Sequence, residues 1–237
     1  MDQDYISRFT TAPETQQEAA VSKIFLLNVY NWMAIGLAIT GGVAYLVSEF
    51  VDIYFFSKYI FVFYGLLIFE FILVLALTWA INKIPPILAI LGFFFYAFVN
   101  GLTMSIIFLV YTSASIYMTF FICAGMFLGM SVFGYITKID LSRFGSFLYM
   151  GLIGVILGSV VNLFWANSTL YWLVTYVGVF VFVGLTAYDT QKIKRMAQEM
   201  DAESGEGKKA AVMGALMLYL DFINLLLLLL RIFGRRN

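Results

Sequence analysis

Three carboxylates stand inside long apolar runs of this 237-residue chain: Glu70, Asp189 and Asp221. A charged side chain at mid-bilayer costs about 2.5–3.5 kcal/mol even on insertion scales, so such acids mark ion pathways, proton sites or hydrogen-bonded structural carboxyls. Glu70 is twelve residues from both Lys58 and Asn82. That places it near the middle of its run, as a candidate pore residue or proton site. Asp221 lies twelve residues past Lys209, and Asn224 shares its helix face at i, i+3, which makes Asn224 a second pore candidate. Asp189 closes its run just before Lys192, Lys194 and Arg195. If Asp189 and Asp221 met, the two carboxyls would not both ionise easily and would share a proton. Loss of that proton would set two negative charges side by side, push their helices apart and leave oxygen ligands for a hard cation such as Ca²⁺. The two aspartates are therefore the candidate pH sensor, gate and Ca²⁺ ligands.

The rest of the composition narrows the chemistry. Apolar residues make up 62% of the chain and charged residues 12%, against about 25% charged in a soluble domain, so the protein belongs in a membrane. Histidine is absent, which excludes His-based zinc sites, a Ser-His-Asp triad and an imidazole proton relay. The single cysteine, Cys123, forms no intramolecular disulfide or Cys-cluster metal site. Fourteen basic and fourteen acidic residues balance, so no overall basic surface calls for nucleic acid. Nothing assembles a nucleophile, a base and oxyanion donors, so no enzyme and no cofactor is expected, with Ca²⁺ entering as a transported or transiently bound ion.

The elements that must carry these acids are legible as apolar runs at about residues 26 to 48, 59 to 81, 86 to 110, 114 to 136, 145 to 166, 170 to 189 and 210 to 232. Each is long enough to cross about 30 Å of hydrocarbon at about 1.5 Å per residue. The expected fold is all-α: a polytopic membrane protein with a seven-transmembrane-helix bundle over residues 25–237 and a polar cytoplasmic arm at residues 1–24. Asn82-Lys83-Ile84-Pro85-Pro86 ends the second run, and Pro86 can open the third. The break at Tyr111-Thr112-Ser113 is the weakest. The sixth helix is expected to continue to about Met200, with a solvated loop beyond; the acids there do not follow EF-hand spacing. Trp79, Trp165 and Trp172 fall near run ends, where an interfacial belt would place them.

With the N-terminus inside, ten basic residues fall on the cytoplasmic side and four, namely Lys58, Arg231, Arg235 and Arg236, on the other, the arrangement that the positive-inside rule favours. The tail arginines alone run against it, and a re-entrant last segment is the alternative to a seventh crossing. Gly125 and Gly129, and Gly154 and Gly158, stand four apart and are expected to pack helices within the bundle, or else to form a dimer contact. Span counting sets Asp189 and Asp221 about 15 Å apart in depth. Their contact requires a tilted sixth helix or a seventh that starts in a cytoplasmic vestibule.

Gly184-Leu185-Thr186-Ala187-Tyr188-Asp189-Thr190-Gln191-Lys192, Leu218-Tyr219-Leu220-Asp221-Phe222-Ile223-Asn224-Leu225 and Leu229-Leu230-Arg231-Ile232-Phe233-Gly234 resemble the Bax inhibitor-1 family, also called the transmembrane Bax inhibitor motif family. Gly134-Tyr135-Ile136-Thr137-Lys138-Ile139-Asp140-Leu141-Ser142 resembles its bacterial branch. The resemblance runs from about residue 25 to the C-terminus. It implies a central last helix wrapped by two groups of three, and a di-aspartyl pH sensor, here Asp189 and Asp221, governing a Ca²⁺ leak. It also implies a bacterial plasma (inner) membrane location; eukaryotic relatives are linked to protection from cell death, and some bacterial ones to modulating a membrane-bound ATP-dependent protease. In some members an arginine at the cytoplasmic end of the second helix can pair with the aspartates. Here that region reads Trp79-Ala80-Ile81-Asn82-Lys83, so Lys83 is the candidate basic partner, as a point charge and not a planar fork. The expected partners are the lipid bilayer, Ca²⁺ and protons, with a monomer favoured over a dimer. The competing reading is a regulatory membrane protein that binds a protease through the arm at residues 1–24.

Overall fold

The computed structural model describes residues 3–237, with side chains from Ser22 onward, so the side chains of most of the arm at residues 1–24 lie outside the described residues. The chain forms α1 (Gln3–Phe50), α2 (Ile53–Lys58), α3 (Ile60–Ala80), α4 (Pro86–Val110), α5 (Ser113–Ile136), α6 (Ser142–Trp165), α7 (Ser168–Glu199) and α8 (Gly205–Phe233). Seven of these, all but the six-residue α2, are long and apolar enough to cross a membrane. The protein is an all-α polytopic membrane protein.

Local chemistry sets the helix boundaries. Pro86 opens α4 at its first turn, where its missing N–H costs nothing. Thr112, Asn167 and Ser204 each accept a backbone N–H three residues ahead, capping α5, α7 and α8. The weak break at Tyr111–Ser113 is therefore a true helix boundary. Helix α7 runs to Glu199, close to the expected Met200. The short α2, with all six residues outside the core, had no counterpart among the apolar runs; Asp52 caps it by accepting from Phe55 N at 2.8 Å.

Helix α8 is the axis of the molecule. It packs against α1, α4, α5 and α7, while α3 lies outside α4 and α6 lies outside α7. This gives the two groups of three around a central last helix. Tyr219, Leu216, Leu218, Leu225 and Leu230 of α8 are fully buried with Phe25 and Val29 of α1, Phe93 of α4 and Ile193 of α7. Large apolar residues of α3 and α6, such as Phe61, Phe71, Phe147 and Met150, face outward, as lipid-facing residues do.

The last helix crosses the whole bundle and does not re-enter. At its start Lys209 donates to Asn82 O at 3.3 Å, beside the α3–α4 turn. At its end Thr112 N donates to Arg235 O and Asn237 N to Val110 O, both at 2.9 Å, at the opposite end of α4. Glycine packing departs from expectation. Added Cβ atoms at Gly125, Gly129 and Gly154 would meet open space, and of the four expected positions Gly158 is the one that packs, against Val174. Val174 belongs to α7, and further close approaches to that helix are made by Gly134, Gly145 and Gly151, which meet Ala187, Tyr188 and Val181. Spacing in sequence reports neighbours on one helix face, but which face meets another helix is decided by the fold.

Candidate functional site

The seam between α7 and α8 carries the two aspartates. Ile193 packs over Gly214 and Leu228 over Gly178, with close fits that fix the helices side by side. Between these contacts the Asp189 and Asp221 carboxyls lie within hydrogen-bonding reach of each other. They are 5% and 4% exposed. Asp189 Oδ1 and Asp221 Oδ2 are buried with no hydrogen-bond partner. Buried polar atoms without partners are rare, and a proton shared between the two carboxyls supplies one.

The expected depth mismatch is smaller than span counting suggested, because α7 does not stop at the end of its apolar run. Asp189 stands ten residues before Glu199, and Asp221 sixteen after Gly205. The offset of six residues is about 9 Å along a helix, which the register of the α7–α8 seam absorbs.

The surroundings are built from α5, α6 and α7. Lys192 is the cation that acts on Asp189, its Nζ 3.7 Å from Met217 Sδ. Lys83 does not reach the pair; its ammonium lies 3.5 Å from the Trp79 ring centroid, a cation–π contact on its own helix end. Tyr149 of α6 lies within electrostatic reach of both aspartates and meets Tyr188 edge-on at 5.9 Å. Asn224 donates to Leu220 O of its own helix at 2.8 Å and makes no bond to the pair. Cys123 is buried beside the seam, with its thiol 3.7 Å from Phe222 O.

Two of the motifs singled out in the sequence meet here. Gly134 lies directly against the backbone of Ala187. Gln191 accepts from Leu141 N and donates to Ile139 O, both at 2.8 Å. Lys194 donates to Tyr135 O at 2.7 Å, and Arg195 bonds Ser142 Oγ at 2.5 Å and pairs with Asp140. The α5–α6 turn is thus clamped to α7 just beyond Asp189. The Arg195 guanidinium, helped by the Ser142 amide and hydroxyl, holds the Asp140 carboxyl down at about 2.

Glu70 belongs to a separate cluster. It is 7% exposed on α3 and accepts from Thr103 Oγ1 at 3.1 Å and from Asn100 Nδ2. The Tyr96 hydroxyl approaches the Asn100 amide. On the α8 side Tyr219 shares a 2.6 Å hydrogen bond with Thr40, whose hydroxyl also reaches Ala97 O at 2.8 Å. Helix α8 therefore presents Tyr219 toward the Glu70 cluster and, two residues on, Asp221 toward α7. Asn100 and Thr103 stand three apart inside an apolar run, a polar pair that the sequence did offer; Tyr96, Tyr149 and Tyr219 had no such signal among fifteen tyrosines.

This arrangement can be set beside known proteins. A model of the family described as Inhibitor of apoptosis-promoting Bax1 matches residues 22–237. The chain belongs to the Bax inhibitor-1 family. Among relatives in the Bax inhibitor-1 comparison, the inner membrane protein YbhL of Escherichia coli K12 is 45% identical over 235 residues, covering 98% of this chain and 100% of that one. A protein of Borreliella burgdorferi is 43% identical over 226 residues, 94% of this chain and 97% of its own length. The Rickettsia prowazekii protein RP147 is 38% identical over 241 residues, 99% of each chain.

Among the described residues no three His, Cys, Asp or Glu side chains come together as a metal site. Ca²⁺ takes six to eight oxygens, more than the two carboxylates supply.

Proposed function

We propose that this protein is a pH-sensitive Ca²⁺ leak channel of a bacterial inner membrane, with its N-terminus in the cytoplasm, gated by Asp189 and Asp221. The observation that carries the reading is the pair itself: two carboxyls near each other across the α7–α8 seam, almost fully buried, each with an oxygen that has no hydrogen-bond partner. With one proton between them the carboxyls bond each other and hold the helices together. Without it, two negative charges face each other in a medium of low dielectric, where their repulsion is far stronger than in water. The seam then loosens, and the same oxygens attract a divalent cation.

The groups around the pair fit this role. Lys192 stands three residues from Asp189 on the same helix, Tyr149 offers a hydroxyl nearby, and the clamp at the α5–α6 turn anchors the cytoplasmic half of α7. Glu70, hydrogen-bonded between α3 and α4, is a second polar station in the bundle, beside the Tyr219 face of α8. The inner membrane location rests on the likeness to YbhL, and the orientation on the ten-to-four distribution of basic residues.

The test is Ca²⁺ flux into proteoliposomes between about pH 5 and about pH 8, for the wild type, Asp189→Asn and Asp221→Asn. The expected result is flux that rises with pH in the wild type and loses its pH dependence in both variants, each verified as folded. Flux that is absent, or that keeps the same pH profile in both variants, removes the channel reading. In that case protein partners of the arm at residues 1–24 become the place to look, with a membrane-bound protease first among them.

A further inference from the structure

We infer that the wedge between the ends of α6, α7 and α8 is a binding site for the phosphodiester headgroup of an anionic membrane lipid, anchored by Arg231. The cavity there has a volume of about 480 Å³, and among apolar neighbours its lining carries the polar residues Ser159, Asn162, Asn167, Ser168, Tyr171 and Arg231. It exists because α6 packs mainly on α7. The last turn of α8 therefore rises beside α7 with nothing filling the corner next to α6.

The lining selects for an anion. Arg231 is half-buried, and among the described residues no carboxylate lies within 4 Å of it; its guanidinium sits over the Tyr171 ring, 5.2 Å from the centroid. A planar guanidinium matches two phosphate oxygens at once. The carboxamide oxygens are each engaged once by the backbone of the turn. Asn162 Oδ1 accepts from Asn167 N, and Asn167 Oδ1 accepts from Leu170 N, both at 2.9 Å. Both side chains also carry NH₂ donors, and the hydroxyl-bearing Ser159, Ser168 and Tyr171 line the same cavity. The turn that builds this rim is strained: Ala166 has a φ of 45°, in the left-handed region that a residue with a Cβ adopts at a cost of about 1 kcal/mol or more. Ala166 N still closes onto Asn162 O at 2.9 Å.

A lipid fits better than a free ion, because the same last turn of α6 carries Phe164 and Trp165, 80% and 77% exposed. Trp at the end of a span marks the headgroup level, so the cavity opens where a phosphate and its acyl chains lie side by side. Basic pockets between spanning helices bind anionic headgroups on the cytoplasmic or matrix side of membranes. On the orientation proposed above, this one faces the outer leaflet.

The test uses the full chain purified in a neutral detergent, with native mass spectrometry and thermal unfolding as readouts. Phosphatidylglycerol is compared with diacylglycerol of the same chains and with inorganic phosphate. In the wild type, phosphatidylglycerol is expected to stay bound and raise the melting temperature, whereas diacylglycerol and inorganic phosphate do neither. Arg231→Gln is expected to weaken phosphatidylglycerol binding about tenfold, and Arg231→Lys to restore part of it. Equal retention of phosphatidylglycerol and diacylglycerol by the wild type overturns the site without recourse to any variant. Undiminished binding by folded Arg231→Gln overturns the anchor, and protection by inorganic phosphate equal to that by the lipid overturns the lipid assignment.

Discussion

Replacing Gly134 by alanine tests whether close packing of α5 on α7 holds the aspartate pair together. A Cβ built on Gly134 would stand 2.9 Å from both the Cα and the carbonyl carbon of Ala187. Those are backbone atoms of a helix, so no rotamer change relieves the clash and the helices must separate. Overpacking of this kind costs about 1–3 kcal/mol. Ala187 is two residues from Asp189, and the strain falls on the arrangement in which the carboxyls meet. At about 1.4 kcal/mol per factor of ten, the sealed arrangement becomes about fivefold to about a hundredfold less favoured. The assay pairs thermal unfolding in detergent with Ca²⁺ flux at the acidic end of the range, where the proposed function expects little leak from the wild type, with Gly125→Ala as control. Gly125 is on the same helix, and its added Cβ would meet nothing within 4 Å. Gly134→Ala is expected to melt lower and leak more, and Gly125→Ala to match the wild type. If the two variants melt and leak alike, the α5–α7 contact does not govern the seam.

Three further outcomes are expected. Asn100→Leu removes the amide that serves Glu70 and should cost about 1–3 kcal/mol, because a buried carboxyl loses a partner; adding Glu70→Leu should restore most of the melting temperature, since removing both partners leaves no orphan. No rescue in the double variant would mean that the two residues act independently. Tyr219→Phe deletes the hydroxyl bonded to Thr40 and should lower stability by about 1 kcal/mol, with Thr40 still bonded to Ala97 O; an unchanged melt would show that the α1–α8 bond contributes nothing. Asp140 is held at about 2, below its ordinary 3.8, so whatever the Arg195 pair adds is present in full above about pH 4 and lost as pH falls through about 2. The pair is therefore constant between about pH 5 and about pH 8, and Asp140→Asn should leave the midpoint of the flux profile where it was. A moved midpoint would transfer the pH response from the seam to the α5–α6 turn.

The order and number of spans were legible without a structure, as were the identities of the acids. Apolar run length is a property along the chain, and crossing a bilayer needs nothing else. Pro85-Pro86 and Thr112 ended and opened helices by local backbone chemistry, and Asp189, Asp221 and Glu70 stood out because a carboxyl in an apolar run demands a reason. The end of α7 was legible too, expected near Met200 and found at Glu199; what counting from the apolar boundary misjudged was the offset between Asp189 and Asp221. The last turns of α7, from Thr190 to Glu199, are polar and helical, and they bring Asp189 closer to the depth of Asp221 than the hydropathy boundary allowed.

Only the tertiary structure decided which groups meet. The contact of Asp189 with Asp221 depends on the register between two helices, and that register is set by Gly178 and Gly214 fitting Leu228 and Ile193. Lys192 stands three residues after Asp189 on α7, a neighbour that spacing along one helix already offers, whereas the failure of Lys83 to reach the pair, its ammonium lying over Trp79 instead, depends on how the helices pack. For the same reason Gly134, Gly145, Gly151 and Gly158 make close approaches to α7 while Gly125, Gly129 and Gly154 make none. Local chemistry and bilayer thickness act on each segment separately, whereas register and rotation arise from packing between segments far apart in sequence, and the site is made of those.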